Sequence, residues 1–240
     1  MTVGGIPEPI AIAQDRDRLY VGSFSSSTVY SYSLPLSKSS VRASAPVIGD
    51  PSSMAAAGGF LYISGSRRGF AEVVRRRLPL TPAEDGIVLF AGSSGPNGFE
   101  PDWFAVQATS TMLIVQHVKA RTVSGYALPV SRGERPAFVI ANLNPQGLAV
   151  DGRGEHLFVS RGRAVYDYRL PYVSGEKPLV LQVDGRFLPL GNVGSLAASA
   201  NHLYVRAWLN ILSYTLPLRG HESPDAVVSI RGVTNIFAGN

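Results

Sequence analysis

Apolar residues in this chain fall in short runs, and the runs return in a fixed order. The most regular reads Val-x-x-Tyr-x-Leu-Pro. It occurs as Val29, Tyr32 and Leu34-Pro35, then as Val123, Tyr126 and Leu128-Pro129. It returns as Val165, Tyr168 and Leu170-Pro171, and as Ile211, Tyr214 and Leu216-Pro217. A further copy departs from the line, with Val73, then Arg76 in the tyrosine place, then Leu78-Pro79. Leu34, Leu78, Leu128, Leu170 and Leu216 are spaced by 44, 50, 42 and 46 residues. A period of that length marks a stack of equivalent units, each too small to bury its own apolar face.

Each unit holds four runs of strand length. The first is rich in small residues, as a strand crowded near an axis must be: Ile10 to Ala13, Met54 to Ala57, Phe104 to Gln107, Leu148 to Asp151 and Leu196 to Ser199. The second is continuously apolar, from Leu19-Tyr20-Val21 to Leu203-Tyr204-Val205, and predicts a strand buried on both faces. The third is the Leu-Pro line. On it Tyr30, Tyr32, Leu34 and Leu36 share one face and Ser31 and Ser33 the other, and the proline marks the end of the ladder. The fourth is short: Pro46-Val47-Ile48, Ile87 to Phe90, Phe138 to Ile140, Leu179 to Val183 and Ala226 to Ile230. Four antiparallel strands repeated at this spacing predict an all-β chain, a β-propeller of four-stranded blades in one domain over residues 1–240. Five blades are expected, the alternative being six with one incomplete.

The ends bear on that count. Val3 precedes Ile10 as Val47 precedes Met54, and Ile236-Phe237-Ala238-Gly239 reads as one more first strand. This surplus strand is expected to be spare, to open an incomplete sixth blade, or to be exchanged with another copy in a homo-oligomer.

Composition narrows the classes. The chain has 240 residues, 45% of them hydrophobic and 16% charged, which excludes a disordered chain. The apolar runs are too short to span a membrane as helices. With no cysteine there are no disulfides, thiolate nucleophiles or zinc–thiolate sites. Met1 to Gly5 shows neither a basic nor an apolar signal region, so no signal peptide is read; a trimmed secreted parent remains an alternative and localisation stays open. A formal net charge of +5 suits an anionic partner but is too small to indicate nucleic acid.

The segments Arg18 to Phe24 and Thr28 to Tyr32 resemble YVTN-type and NHL-type propeller repeats, and Asn144-Pro145-Gln146-Gly147-Leu148-Ala149-Val150-Asp151-Gly152-Arg153-Gly154 resembles the NHL line more closely still. The resemblance covers essentially the whole chain, once per blade. It implies the fold and leaves the function among scaffolds, extracellular binding proteins, lactonases and lyases.

Two groups of residues carry candidate chemistry. The turns joining second to third strands hold Arg67 and Arg68, Lys119 and Arg121, Arg161 and Arg163, and then Arg206 with Trp208 and Asn210. The opposite rim is close to balanced in charge. Arginine forks suit carboxylate, sulfate or phosphate, and Trp208 adds a stacking surface. The expected function is therefore binding of an anionic ligand or protein, without catalysis and without a cofactor. The second group is axial: Asp50, Glu100, Asn144 and Asn192 offer oxygens that a calcium ion would take. Lactonase-type propellers resemble this arrangement, which makes a metal-assisted lactonase or lyase the alternative; a structural subunit assembling through the surplus strand is the third reading. Asp, Glu or Asn before proline is also ordinary turn chemistry.

Arg76 falls in an apolar row, a costly place unless it reaches an acidic partner, Glu72 on the same face being one candidate, or the blade edge. The four histidines, His117, His156, His202 and His221, have no partner fixed by spacing, so no triad is read. No helix is expected.

Overall fold

The computed structural model describes residues 6, 9–36, 42–47, 50–67, 70–81, 86–92, 104–188 and 192–229. Among them the chain forms twenty strands in five four-stranded antiparallel sheets. The first sheet holds β1 (Pro9–Asp15), β2 (Arg18–Ser23), β3 (Thr28–Ser33) and β4 (Arg42–Pro46). The second holds β5 (Asp50–Ala57), β6 (Phe60–Arg67), β7 (Phe70–Arg77) and β8 (Ile87–Ala91). The third holds β9 (Phe104–Ala108), β10 (Met112–His117), β11 (Thr122–Ala127) and β12 (Phe138–Ile140). The fourth is β13 (Gly147–Val150), β14 (His156–Arg161), β15 (Ala164–Arg169) and β16 (Leu179–Gln182). The fifth is β17 (Val193–Ala198), β18 (His202–Ala207), β19 (Asn210–Thr215) and β20 (Ala226–Ser229). In every sheet spatial order follows chain order, the meander that short turns between sequential strands impose.

Two compact units divide the chain. One comprises residues 1–120 and 124–137, the other 121–123 and 138–240. In the first, the opening strands of neighbouring sheets lie side by side, β1 against β5 and β5 against β9; in the second, β13 lies against β17. Their small residues permit this approach. A Cβ on Gly147 would come within 2.8 Å of the Gly194 carbonyl, so the place where β13 meets β17 requires glycine. Hydroxyls tie the same strands together: Ser53 Oγ donates to the Val106 carbonyl and accepts from the Val106 amide, both at 3.1 Å. Ser160 Oγ donates to Gly194 at 2.9 Å.

The third strands end where the Leu-Pro line predicts. All five Leu-Pro bonds, at Pro35, Pro79, Pro129, Pro171 and Pro217, are cis. Second and third strands supply the deepest residues. In the first unit these include Tyr20, Val29, Leu61, Tyr62, Val73 and Leu113; in the second, Leu157, Phe158, Val165, Leu203, Leu212 and Tyr214. Each large apolar side chain so buried contributes roughly 1.5–3 kcal/mol. Burial also pushes the Tyr214 hydroxyl up to about 12, with the Asp184 and Glu222 carboxylates adding to it. A raised folded-state value means this group's stabilisation is complete below its ordinary value of 10.0 and is lost as pH rises through about 12.

Two expectations are corrected. The fourth strand of the first sheet lies at Arg42–Pro46, ahead of the expected run from Pro46, and Ala45 is the small residue that fits opposite Val29 and is buried there; Ile48 lies outside the described residues. The all-β expectation holds, with one three-residue 3-10 turn among the described residues at Gly185–Phe187, where the Asp184 carboxylate accepts from the Arg186 amide at 2.9 Å. The described hydrogen bonds of Arg76 go to backbone and not to Glu72: its guanidinium donates to the Pro46 carbonyl at 2.5 Å and the Thr81 carbonyl at 2.9 Å. At 4% exposed, that group is inside. These two carbonyls take up part of the donor capacity of the buried guanidinium, which lowers the cost of holding it inside. The surplus strand at 236–239 lies outside the described residues.

Candidate functional site

The turns between second and third strands are tight, and their backbone decides what their side chains do. In the fourth sheet Arg161 pairs with Ala164, leaving a two-residue turn of Gly162 and Arg163. Gly162 takes φ 57, the left-handed conformation the first position of such a turn asks for. Arg161 and Arg163 are exposed, and neither pairs with a carboxylate among the described residues. The Arg163 guanidinium lies over Gly185, where an added Cβ would stand 2.6 Å from its Nη2. Beside it, Arg186 lies 4.7 Å over the Phe187 ring and 3.0 Å from the Asp184 carboxylate. Arg186 was not anticipated, since nothing in the repeat pattern brings residue 186 to the turn at 163. The signal that could have located it is Asp184 two residues ahead, a turn-capping pattern.

The fifth sheet builds the same turn differently. Ala207 pairs with Asn210, and the two turn residues are Trp208 and Leu209, both exposed. Trp208 holds φ 53, an uncommon conformation for a bulky L-residue. Arg206 is not at the tip: it lies inside β18, half-buried, with its stem along Gly194. Asn210 accepts from Ser229 Oγ at 2.9 Å and so serves the β19–β20 pairing. Arg121, in the second unit, is exposed with φ 55, and its carbonyl accepts from the Leu143 amide at 3.0 Å.

In the first unit Lys119 is exposed on the turn between β10 and β11. Arg68 and the Arg67 side chain lie outside the described residues. The same class of turn exposes Phe24, after β2, and Phe70, at the head of β7. Those two aromatics were missed, because apolar residues beside a strand read as part of it.

The candidate calcium ligands have separate settings. Asp50 opens β5, and its Oδ1 accepts from Ser27 Oγ at 2.9 Å, a bond between a turn and the next sheet's first strand. Asn144 and Asn192 are exposed in the second unit, and Glu100 lies outside the described residues. Among the described residues, no three His, Cys, Asp or Glu side chains gather in a way that could hold a metal ion.

One polar pair was not anticipated. His156, the first residue of β14, places Nδ1 2.8 Å from Asp167 Oδ1 on β15. The carboxylate is almost sealed, with 6% of its side chain exposed against 30% for the imidazole. Burial raises the Asp167 carboxyl above the ordinary carboxylate range, while the His156 hydrogen bond pulls it back. Residues 156 and 167 belong to adjacent strands, so only the β14–β15 register brings them together.

No protein-family model matches the chain, and no curated protein matches it. Solved structures do. A candidate 6-phosphogluconolactonase from Bacteroides uniformis aligns with a TM-score of 0.67 at 15% identity, over 96% of this chain and 75% of that one. A chain of a nidogen–laminin complex aligns with a TM-score of 0.64 at 14% identity, over 92% and 80%. The WD40 β-propeller domain of Doa1 aligns at 0.58 and 14%, over 92% and 72%. Five four-stranded antiparallel sheets and this likeness make the fold a five-bladed β-propeller. At such identities the likeness extends to the fold alone, and enzymes and binding proteins share it.

Proposed function

We propose that this propeller is a binding protein for an anionic partner, held by the cationic turns between the second and third strands of its blades. The observation that carries the reading is the pair Arg161 and Arg163. Both are exposed at one tight turn, Arg161 closing β14 and Arg163 on the turn itself, with no carboxylate partner among the described residues, and Arg186 stands nearby on a separate connection. Guanidinium forks are matched to phosphate, sulfate and carboxylate oxygens, and a short hairpin turn orders their stems before binding. Lys119 and Arg121 extend the same chemistry to the third blade.

Heparin serves as the test polyanion. The full chain is expected to bind it with an affinity that falls as salt rises, because exposed charges are screened over about 8 Å at physiological ionic strength. Replacing Arg67, Arg68, Arg161 and Arg163 together by Ser should weaken binding at least about tenfold with the melting temperature unchanged. Parent-like binding by that variant would return these turns to the role of a solvated surface.

A further inference from the structure

We propose that residues 230–240 fold back within the same chain onto the open face of the fifth sheet, laying Ile236 to Gly239 beside β17 as one more first strand. The inference is independent of the cationic turns.

One face of each sheet carries a matched pair, a second-strand residue and a third-strand residue further along the same row. The pairs are Tyr20 with Val29, Tyr62 with Val73, Phe158 with Val165, and Tyr204 with Ile211. In the first, second and fourth sheets both members are buried; in the fifth both are only half-buried. The contrast widens at the fourth strand. Leu181, opposite Val165, is 0% exposed, whereas Val228, opposite Ile211, is 56% exposed. The other face of the fifth sheet is sealed, with Leu203, Val205, Leu212 and Tyr214 in one core with the fourth blade. A repeat cannot bury its apolar face alone, so the fifth sheet is built for a cover on its open side.

A hydroxyl states what kind of cover. Ser195 Oγ is buried and has no hydrogen-bond partner among the described residues. Its counterpart in the second blade is Ser53, since each precedes the residue, Leu196 or Met54, that pairs with Val205 or Ile63. Ser53 Oγ makes two bonds to the backbone of Val106, on the first strand of the next blade. Ser195 therefore faces the place of a first strand that follows the fifth sheet, and a buried hydroxyl left without such a strand is costly.

The chain supplies one. Residues 141–146 lead from β12 to β13, and residues 230–235 give the same length between β20 and Ile236. The segment bears Ile230, Val233, Ile236 and Phe237 with Arg231 as its one charged side chain, and Ala238 and Gly239 are the small residues of a crowded first strand. A strand from a second copy would fit the same face, but a tether this short gives the chain's own segment the higher effective concentration.

Hydrogen exchange of the full chain, at two protein concentrations, tests this. The amides of residues 236–239 should exchange at least about tenfold more slowly than in a free 230–240 peptide, equally at both concentrations. Ser195→Ala should speed that exchange and lower the melting temperature, because it removes a bonded hydroxyl. Ile236→Asp with Phe237→Asp should abolish the protection and leave β14 and β18 protected, since the sealed face does not depend on the segment. Free-peptide exchange at 236–239 in the parent would overturn the proposal. So would protection that fades on dilution, which assigns the face to a second copy. A melting temperature that stays level or rises in Ser195→Ala would show a hydroxyl with nothing to bond, and would overturn it as well.

Discussion

In the second blade Arg75 lies 4.7 Å over the Phe60 ring; in the fourth, the same two positions hold Asp167 and His156, hydrogen-bonded at 2.8 Å. The registers match, since Tyr62 pairs with Arg75 as Phe158 pairs with Asp167. One backbone geometry therefore places opposite charges in equivalent half-sealed sites and satisfies each by different means. Arg75 has a ring face and the Val130 carbonyl, to which its Nη1 donates. Asp167 has an imidazole. One position further along, the second blade buries Arg76 where the fourth buries Tyr168. The repeat dictates where a side chain goes and leaves open which chemistry meets it.

The largest effect should come from Arg76→Ala. It leaves the Pro46 and Thr81 carbonyls without a described donor and opens a cavity, for a loss of about 3 kcal/mol. Arg76→Tyr, which restores the residue of the other blades, should cost less. Urea denaturation decides this, and equal losses would mean that the tyrosine position is not equivalent in the second blade.

A smaller effect is expected in the fourth blade. Asp167→Ala strands His156 and should cost about 2 kcal/mol. Asp167→Asn keeps an acceptor, and its comparison with the parent reads the titration. The Asp167 carboxyl is raised in the folded state, so its contribution is complete below the ordinary value of 3.8 and is lost as pH rises through the raised folded value. The parent should therefore lose stability relative to Asp167→Asn as pH climbs from acid toward neutral. A difference that stays flat with pH would show that burial does not control this carboxyl.

Phe60→Leu should have the smallest effect, about 0.5–1 kcal/mol, since it removes a ring contact and leaves the Arg75 guanidinium its carbonyl. If the double variant with Arg75→Met loses the sum of the two single losses, ring and cation are not coupled.

Much of this was legible along the chain. The Leu-Pro line placed the third strands, the continuous runs placed the second, and the prediction of five blades matches the five sheets. Arg161, Arg163 and Trp208 fall on or beside the turns expected of them. Other features were not legible. Sequence spacing offered Glu72 as a candidate partner for Arg76, whereas two acceptors that its guanidinium meets, the Pro46 and Thr81 carbonyls, are backbone atoms with no spacing signature. The exposure of Phe24 and Phe70 depends on what lies across from them, which no local pattern records.

Hydrophobic periodicity by itself determined most of the strands, their order and the expectation of five blades, which the five sheets match. Strand alternation and turn preference are local properties, carried by neighbours in the chain. Only the tertiary structure decided that Asp167 meets His156, that Arg163 lies over Gly185, and that Trp208 takes a left-handed turn with its ring exposed. Those outcomes depend on register and on the approach of separate connections. A single residue of slip would exchange every inward side chain for its outward neighbour.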